Sequence, residues 1–224
     1  MKVLHVLYQS LPQVSGSSIR SRDIMLSQKE VGIEVLAITA PFQNSISKKG
    51  LDIIDDITYI RTSRNTENSI SDQRKSVLKR LLRVYAIVFF SQQLYKTIKK
   101  EKPDVLHAHA MFFCAIPSLV LGKILNIPVV YEFRSLWMFQ KSDSHNKSYL
   151  NKKIESLLLY MEILCLKKAA HAVILNENLK DFIFSKTSKP FEHSIINNAV
   201  NTSLIEKLKA NKVSKKEDKI VFGY

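Results

Sequence analysis

Short β-rich runs alternate with helical stretches along nearly the whole chain, and this alternation most restricts what the chain can fold into. Lys2–Tyr8 (KVLHVLY) reads as a buried strand, Ser17–Val31 as a helix, Glu34–Ala40 as a second strand closed by Pro41, and Ile57–Arg61 as a short third. Gly32 stands where a left-handed residue stops the first helix. Residues 62–73 are polar and loop-like. A long helix is expected over Gln73–Lys102, then a strand at Asp104–Ala108, a helix at Phe112–Leu125 and a strand at Pro128–Glu132. An irregular polar stretch (Arg134–Lys147) precedes a helix at Tyr149–Ala169, a strand at Ala172–Leu175, a short helix near Glu177 and a strand at His193–Ile196. Strands separated by helices of about ten or more residues imply parallel βαβ units. Right-handed crossovers then give an α/β fold with a doubly wound, mostly parallel, Rossmann-like sheet.

The 224 residues suffice for one sizeable core. Cys114 and Cys165 each sit in an apolar helical stretch, outside any CxxC pair. That argues against a disulfide framework or a zinc site and fits a reducing, cytoplasmic compartment. The apolar run Val3–Tyr8 is too short for a secretory signal, and no run is long enough to span a bilayer. The net charge of +14 favours anionic partners such as phosphorylated small molecules or acidic lipid, or else reflects only a lysine-rich surface. Nucleic acid is disfavoured, because the basic residues are not interleaved with aromatic stacking platforms.

In a doubly wound sheet, ligands bind beyond the carboxyl ends of the strands, so the polar oddities there carry the functional reading. After the first strand, Gln9–Ser18 is a small-residue loop containing Gly16 and Ser17 that opens a helix. Its amides suit a phosphate or a sugar hydroxyl, or it is an ordinary helix cap by Ser15 or Ser17. With one glycine it lacks the dinucleotide fingerprint, which disfavours a nucleotide-cofactor oxidoreductase. His107 and His109, two apart on a strand, point to one face. A metal site would need further ligands that the adjacent sequence does not supply, so the pair is either structural or one packed and one crevice-facing histidine. Glu132 and Arg134 follow a strand directly and lead to Trp137, the one tryptophan. Burying that pair is costly unless both groups are fully partnered, and arginine otherwise offers its fork to a phosphate or carboxylate. Asn197, Asn198 and Asn201 form a turn-prone cluster after the last strand.

These segments together resemble the N-terminal, acceptor-side domain of glycosyltransferase family 4, which has the GT-B fold. The matching stretches are the loop before Ser17, Val31-Gly32-Ile33-Glu34-Val35, Pro103 to His109 and Asn126 to Trp137, with Asn126 in place of glycine, and Asn197 to Asn201. The resemblance covers essentially the whole chain. It implies residues 1–208 as the acceptor-side domain, 209–219 as a linker, and 220–224 as the first strand of a donor-binding domain. It further implies retaining transfer of a sugar from a nucleotide-sugar donor, without metal or other cofactor, to a glycan or lipid-linked acceptor, as in bacterial surface polysaccharide synthesis. His109 would be catalytic, and Gly16, Ser17, His107, Glu132, Arg134 and Asn198 would bind substrate. The chain alone is expected to be inactive; the alternative is a non-catalytic module that pairs with a separate donor-binding subunit. The basic, partly apolar region 74–102 is either a core helix with a solvated face or a contact with the anionic inner face of the plasma membrane.

Overall fold

The computed structural model describes residues 1–43, 50–63, 77–139, 149–187 and 189–199. Its elements in chain order are β1 (Lys2–Leu7), α1 (Gly16–Glu30), β2 (Glu34–Thr39), β3 (Leu51–Ile54), β4 (Ile57–Arg61), α2 (Val77–Glu101), β5 (Val105–His109), α3 (Phe112–Leu125), β6 (Val129–Phe133), α4 (Tyr149–Lys168), β7 (His171–Ile174), α5 (Glu177–Ser185) and β8 (His193–Ile195). They build one eight-stranded sheet in the order β3-β4-β2-β1-β5-β6-β7-β8. Every pairing is parallel except β3 with β4, which is antiparallel. The fold class read from the sequence stands. The hairpin strand β3 was not anticipated, so Ile57–Arg61 is the fourth strand rather than the third. Residues 73–76, most of the stretch after Arg134, the linker 209–219 and the strand 220–224 lie outside the described residues.

The two faces of the sheet are covered by different chemistry. One carries the main core, in which Leu4, Val6, Leu36, Ile38, Leu106 and Tyr131 meet α2, α3 and α4. On α2, Phe90, Leu94 and Ile98 are buried at helical spacing. The other face has a small apolar cluster of Leu7, Met25, Ala37, Ile57 and Tyr59. There α1 presents Ser18, Ser21 and Met25 inward, and two of those three are polar. A helix with so little apolar surface rests on whatever polar partners the sheet gives it, and those partners form the site described below.

Sequence details account for the helix ends. Ser15 caps α1 through a capping box with Ser18, and Gly32 turns the chain at φ +82°. Asn126, standing where the resembled family has glycine, adopts the left-handed cap of α3 at φ +54°, a conformation asparagine tolerates. Gly122, one turn earlier, lies against β6: a Cβ there would stand 2.5 Å from Val129 Cγ2 and 2.7 Å from the Ile127 carbonyl oxygen. The backbone contact cannot relax cheaply. Gly122→Ala is expected to destabilise the fold by about 1–3 kcal/mol, read as a lower urea midpoint at unchanged m-value.

Candidate functional site

The chain order reverses at β1, which has β2 on one side and β5 on the other, and the loops after β1 and β5 diverge at that seam. The loop after β1 is fixed from beneath. Arg61, fully buried on β4, bonds Asp52 at 2.7 Å and also donates to Ser10 Oγ and the Leu11 carbonyl. Gln43 closes on the Ser10 backbone from the end of β2, donating to its carbonyl at 2.6 Å and accepting from its amide at 2.7 Å. The loop thus delivers Gly16 and Ser17 to the first turn of α1, where both are exposed. The Ser15 hydroxyl and carbonyl take the Ser18 and Ile19 amides, at 3.1 and 3.0 Å. The cap therefore leaves the Gly16 and Ser17 amides as first-turn donors. A Cβ on Gly16 would have nothing within 4 Å.

Beneath that turn lies a buried polar network contributed by β1, β5, β6 and α1. At its centre is Glu132, 0% exposed. Its carboxylate accepts from Arg20 Nε at 2.7 Å and from Arg134 Nη2 at 2.8 Å, and it lies 2.9 Å from His109 Nδ1. Arg134 Nη1 reaches back to α1, donating to the Ser17 carbonyl at 2.9 Å, Ser21 Oγ at 3.0 Å and Ser17 Oγ at 3.1 Å. Arg20 spends its other nitrogens on the turn after β8: Nη2 on the Ile196 carbonyl at 2.8 Å, and Nη1 on the Asn197 carbonyl and Asn198 Oδ1 at 3.0 Å each. Two guanidiniums clamp one carboxylate and, through it, three segments far apart in sequence.

Three histidines fill the space behind Glu132. Register places His5 beside His107 across the β1–β5 seam and His109 beside Glu132. The His107 and His109 rings stack with centroids 4.1 Å apart. His5 Nε2 lies 2.8 Å from Gln28 Oε1, and His5 Nδ1 lies 2.7 Å from His109 Nε2. With the Gln28 amide so oriented, one proton arrangement runs through the chain. His5 Nε2–H donates to Gln28, His109 Nε2–H donates to His5 Nδ1, and His109 Nδ1 accepts from Arg134 Nη2. Both rings are then neutral. Burial drives His5 and His109 down to about 3, helped at His5 by His107 and at His109 by the Arg134 charge. Burial likewise pushes His107 well below its ordinary value, with His109 adding to it. Burial opposes charge on Glu132 too, yet its contacts with His109 and with Arg134 hold the carboxyl well below the usual carboxylate range.

One ring nitrogen from each of His5, His107 and His109 lies within 4.8 Å of the other two, and Glu132 is adjacent. The sequence adjacent to His107 and His109 supplies no further ligating groups, but the fold brings His5 from β1 and Glu132 from β6 beside them. The arrangement still suits hydrogen bonding better than a cation. His5 and His109 are spent on each other, and the Arg134 guanidinium rests on the remaining His109 nitrogen. Arg134 Nε and His107 Nε2 are buried without a hydrogen-bond partner among the described residues, as is Tyr59 Oη outside the network; His107 Nε2 stands 3.6 Å from Glu132. Such deficits cost about 1–3 kcal/mol each and collect at functional sites.

Of the residues singled out from sequence, Gly16, Ser17 and Asn198 lie exposed on the rim, and Arg134 is 8% exposed directly beneath it. Glu132, His107 and His109 are interior. His109 does not face the crevice in this structure: it is 2% exposed and both its ring nitrogens are engaged. The interiors of β1 and α1 also supply His5, Arg20, Ser21 and Gln28, which sequence reading passed over. A histidine inside the apolar run of β1 and a helix without an apolar stripe were the available signals. A cleft of about 790 Å³ between α2 and the β2–β4 edge, lined by Lys2, Arg61, Phe89 and Lys96 among others, contains none of the network around Glu132.

Fold and site together define one Rossmann-like lobe of the GT-B kind. The Glycosyltransferase Family 4 model matches residues 28–204, and the chain belongs to that family. Sucrose-phosphate synthase from Thermosynechococcus elongatus superposes with a TM-score of 0.65 at 12% identity, over 91% of this chain and 50% of that one. UDP-GlcNAc 2-epimerase from Neisseria meningitidis, bound to UDP-GlcNAc, gives 0.54 at 14% identity, over 95% and 51%. The Glycyrrhiza uralensis enzyme UGT73P12, complexed with glycyrrhetinic acid 3-O-monoglucuronide, gives 0.50 at 13% identity, over 88% and 48%. The chain thus spans about half the length of each of these structures. No curated protein matches the sequence.

The histidine shifts have a definite sign. A histidine held near 3 in the fold takes no proton between about pH 6.5 and 3, whereas the unfolded chain does. Stability therefore falls as pH drops below about 6.5, by about 1.4 kcal/mol per pH unit for each such histidine. Glu132 acts lower, its contribution being present above the unfolded carboxyl value of about 4.3 and lost as pH falls below it. Urea unfolding at pH 7.5 and 5.5 is expected to show a drop of about 2–4 kcal/mol, and His5→Asn to flatten that dependence.

Proposed function

We propose that this lobe is the acceptor side of a retaining glycosyltransferase that moves a sugar from a nucleotide-diphosphate sugar to a glycan or lipid-linked acceptor. The observation that carries the reading is the charge balance under the rim. One carboxylate, Glu132, lies between two guanidiniums, Arg20 and Arg134, and the three histidines behind it are neutral. One positive charge is left over, directly below the free first-turn amides of α1. A diphosphate at that turn gains from the helix dipole, from those amides and from the surplus charge. The open space at Gly16 lets it approach the backbone.

In this reading Gly16, Ser17 and Asn198 face ligand. Arg134 supplies fixed positive potential where the leaving diphosphate develops charge, with no protein nucleophile required. His107, His109 and Glu132 hold Arg134 in place and keep its field constant, so no metal or other cofactor is invoked. The rest of the donor site would come from a second lobe, since the matched structures are about twice as long as this chain. That same proportion supports the second reading, a binding module that pairs with a separate donor-binding subunit. A role in bacterial surface polysaccharide synthesis, in the cytoplasm, belongs to the same proposal.

Gly16→Val separates ligand approach from folding, because its side chain meets no neighbour within 4 Å at Cβ. It is expected to leave the melting temperature unchanged and to lower sugar transfer by the complete enzyme about 100-fold or more. Pyrophosphate and nucleotide-sugar binding by this chain should weaken in parallel in calorimetric titration. Unaltered transfer and binding in the variant would overturn the assignment of this turn.

A further inference from the structure

The helical layer on the apolar face of the sheet has an outer surface of unusual make-up. Helix α3 packs between α2 and α4, so the three form one continuous layer. Along α2, Tyr85, Val88, Gln92, Tyr95 and Lys99 fall at outward positions of a single helical stripe, and all are exposed. Tyr85 is 69% and Val88 52% exposed. On α3 the outward residues are Val120, Lys123 and Ile124, with Ile124 at 65%. On α4 they are Tyr149, Lys153, Leu157 and Tyr160, with Leu157 at 59% and Tyr160 at 61%. Lysine heads lie over two of the tyrosine rings: Lys99 Nζ is 5.8 Å from the Tyr95 centroid and Lys153 Nζ 4.7 Å from that of Tyr149.

These three helices themselves carry few acids to offset this surface. The acids of these three helices are Glu101, Glu155 and Glu162. Glu101 is held by Lys2 at 3.0 Å, Glu155 is half-buried, and Glu162 is fully buried, accepting from the Trp137 indole and the Phe112 amide. Exposed tyrosine, branched aliphatic and lysine side chains on one layer match the composition that partitions into the headgroup region of an anionic bilayer. No described helix is long and apolar enough to cross a membrane, so the layer would lie on the surface. Two copies of the chain meeting through this face would oppose like charges. A nucleic-acid backbone would leave Val88, Ile124 and Leu157 without a partner.

We infer that the outer face of α2, α3 and α4 is a docking surface for an anionic lipid bilayer, with lysines on the headgroups and tyrosines and aliphatics at the acyl boundary. This enlarges the contact expected from 74–102 alone, and it does not rest on the proposed sugar transfer. The test is co-sedimentation of the full chain with vesicles of phosphatidylcholine alone and with about one third phosphatidylglycerol. Anionic vesicles are expected to bind at least about tenfold more tightly. Lys99→Glu with Lys153→Glu should remove most of that difference. Leu157→Ser with Tyr160→Ser, which leaves charge unaltered, should weaken binding several-fold. Both pairs alter exposed side chains, and circular dichroism checks that they fold. Equal binding to neutral and anionic vesicles, or serine variants that bind as the parent does, would overturn the inference. So would a parent that ignores vesicles but dimerises in light scattering or retains an oligonucleotide through the same residues.

Discussion

A carboxylate sealed inside the protein cannot stay charged on its own, and most of the site's organisation follows from how Glu132 is kept ionised. Its 0% exposure carries a desolvation cost of several kcal/mol, which only close, well-aligned opposite charges offset. Arg20 and Arg134 supply them at 2.7 and 2.8 Å. Each arginine then has nitrogens to spare, and those bond α1 and the turn after β8. Thus the pairing that makes the buried charge tolerable is also what aligns the rim. Removing Glu132 would leave two largely buried guanidiniums without their counter-charge, whereas removing either arginine would leave the carboxylate with a single charged partner.

The same constraint explains why α1 can be so polar. Ser18 and Ser21 occupy positions where a core helix would carry leucine or valine. They are buried because Arg134 and the capping box use their hydroxyls. The three histidines, neutral through burial, add no charge that would compete with the arginines for Glu132. Electrostatics and packing therefore divide the two faces of the sheet. One side is held by Leu4, Phe90, Leu106 and Tyr131 in apolar contact, the other by a hydrogen-bonded network that ends at an open helix turn.

Much of this was legible in the sequence, for identifiable reasons. Runs such as KVLHVL and VLHAH are too apolar and too short to be anything but buried strands between helices, so the parallel sheet could be read directly. The convergence of Gly16, His109, Arg134 and Asn198 at one edge followed from strand polarity alone. The hairpin strand β3 escaped because Leu51–Ile54 alternates weakly, with Asp52 buried against Arg61 instead of an apolar residue. His5, Arg20 and Gln28 escaped for a different reason. Their roles depend on the register of β1 against β5 and on how α1 lies over β1, β6 and the turn after β8, and periodicity along one element carries no information about its neighbour. The crevice-facing role expected for His109 rested on its face of the strand, which says nothing about how deep the ring sits beneath Arg134.

The clamp by Arg20 has an evolutionary consequence. One side chain serves Glu132 on β6 and three acceptors at residues 196–198 at once. Positions 20, 132 and 134 thus share a single charge balance, and none can drift alone without stranding another. Neutral variation in descendants of this sequence should fall on exposed residues away from this network and from the outer face of α2, α3 and α4, while these three positions change together or not at all.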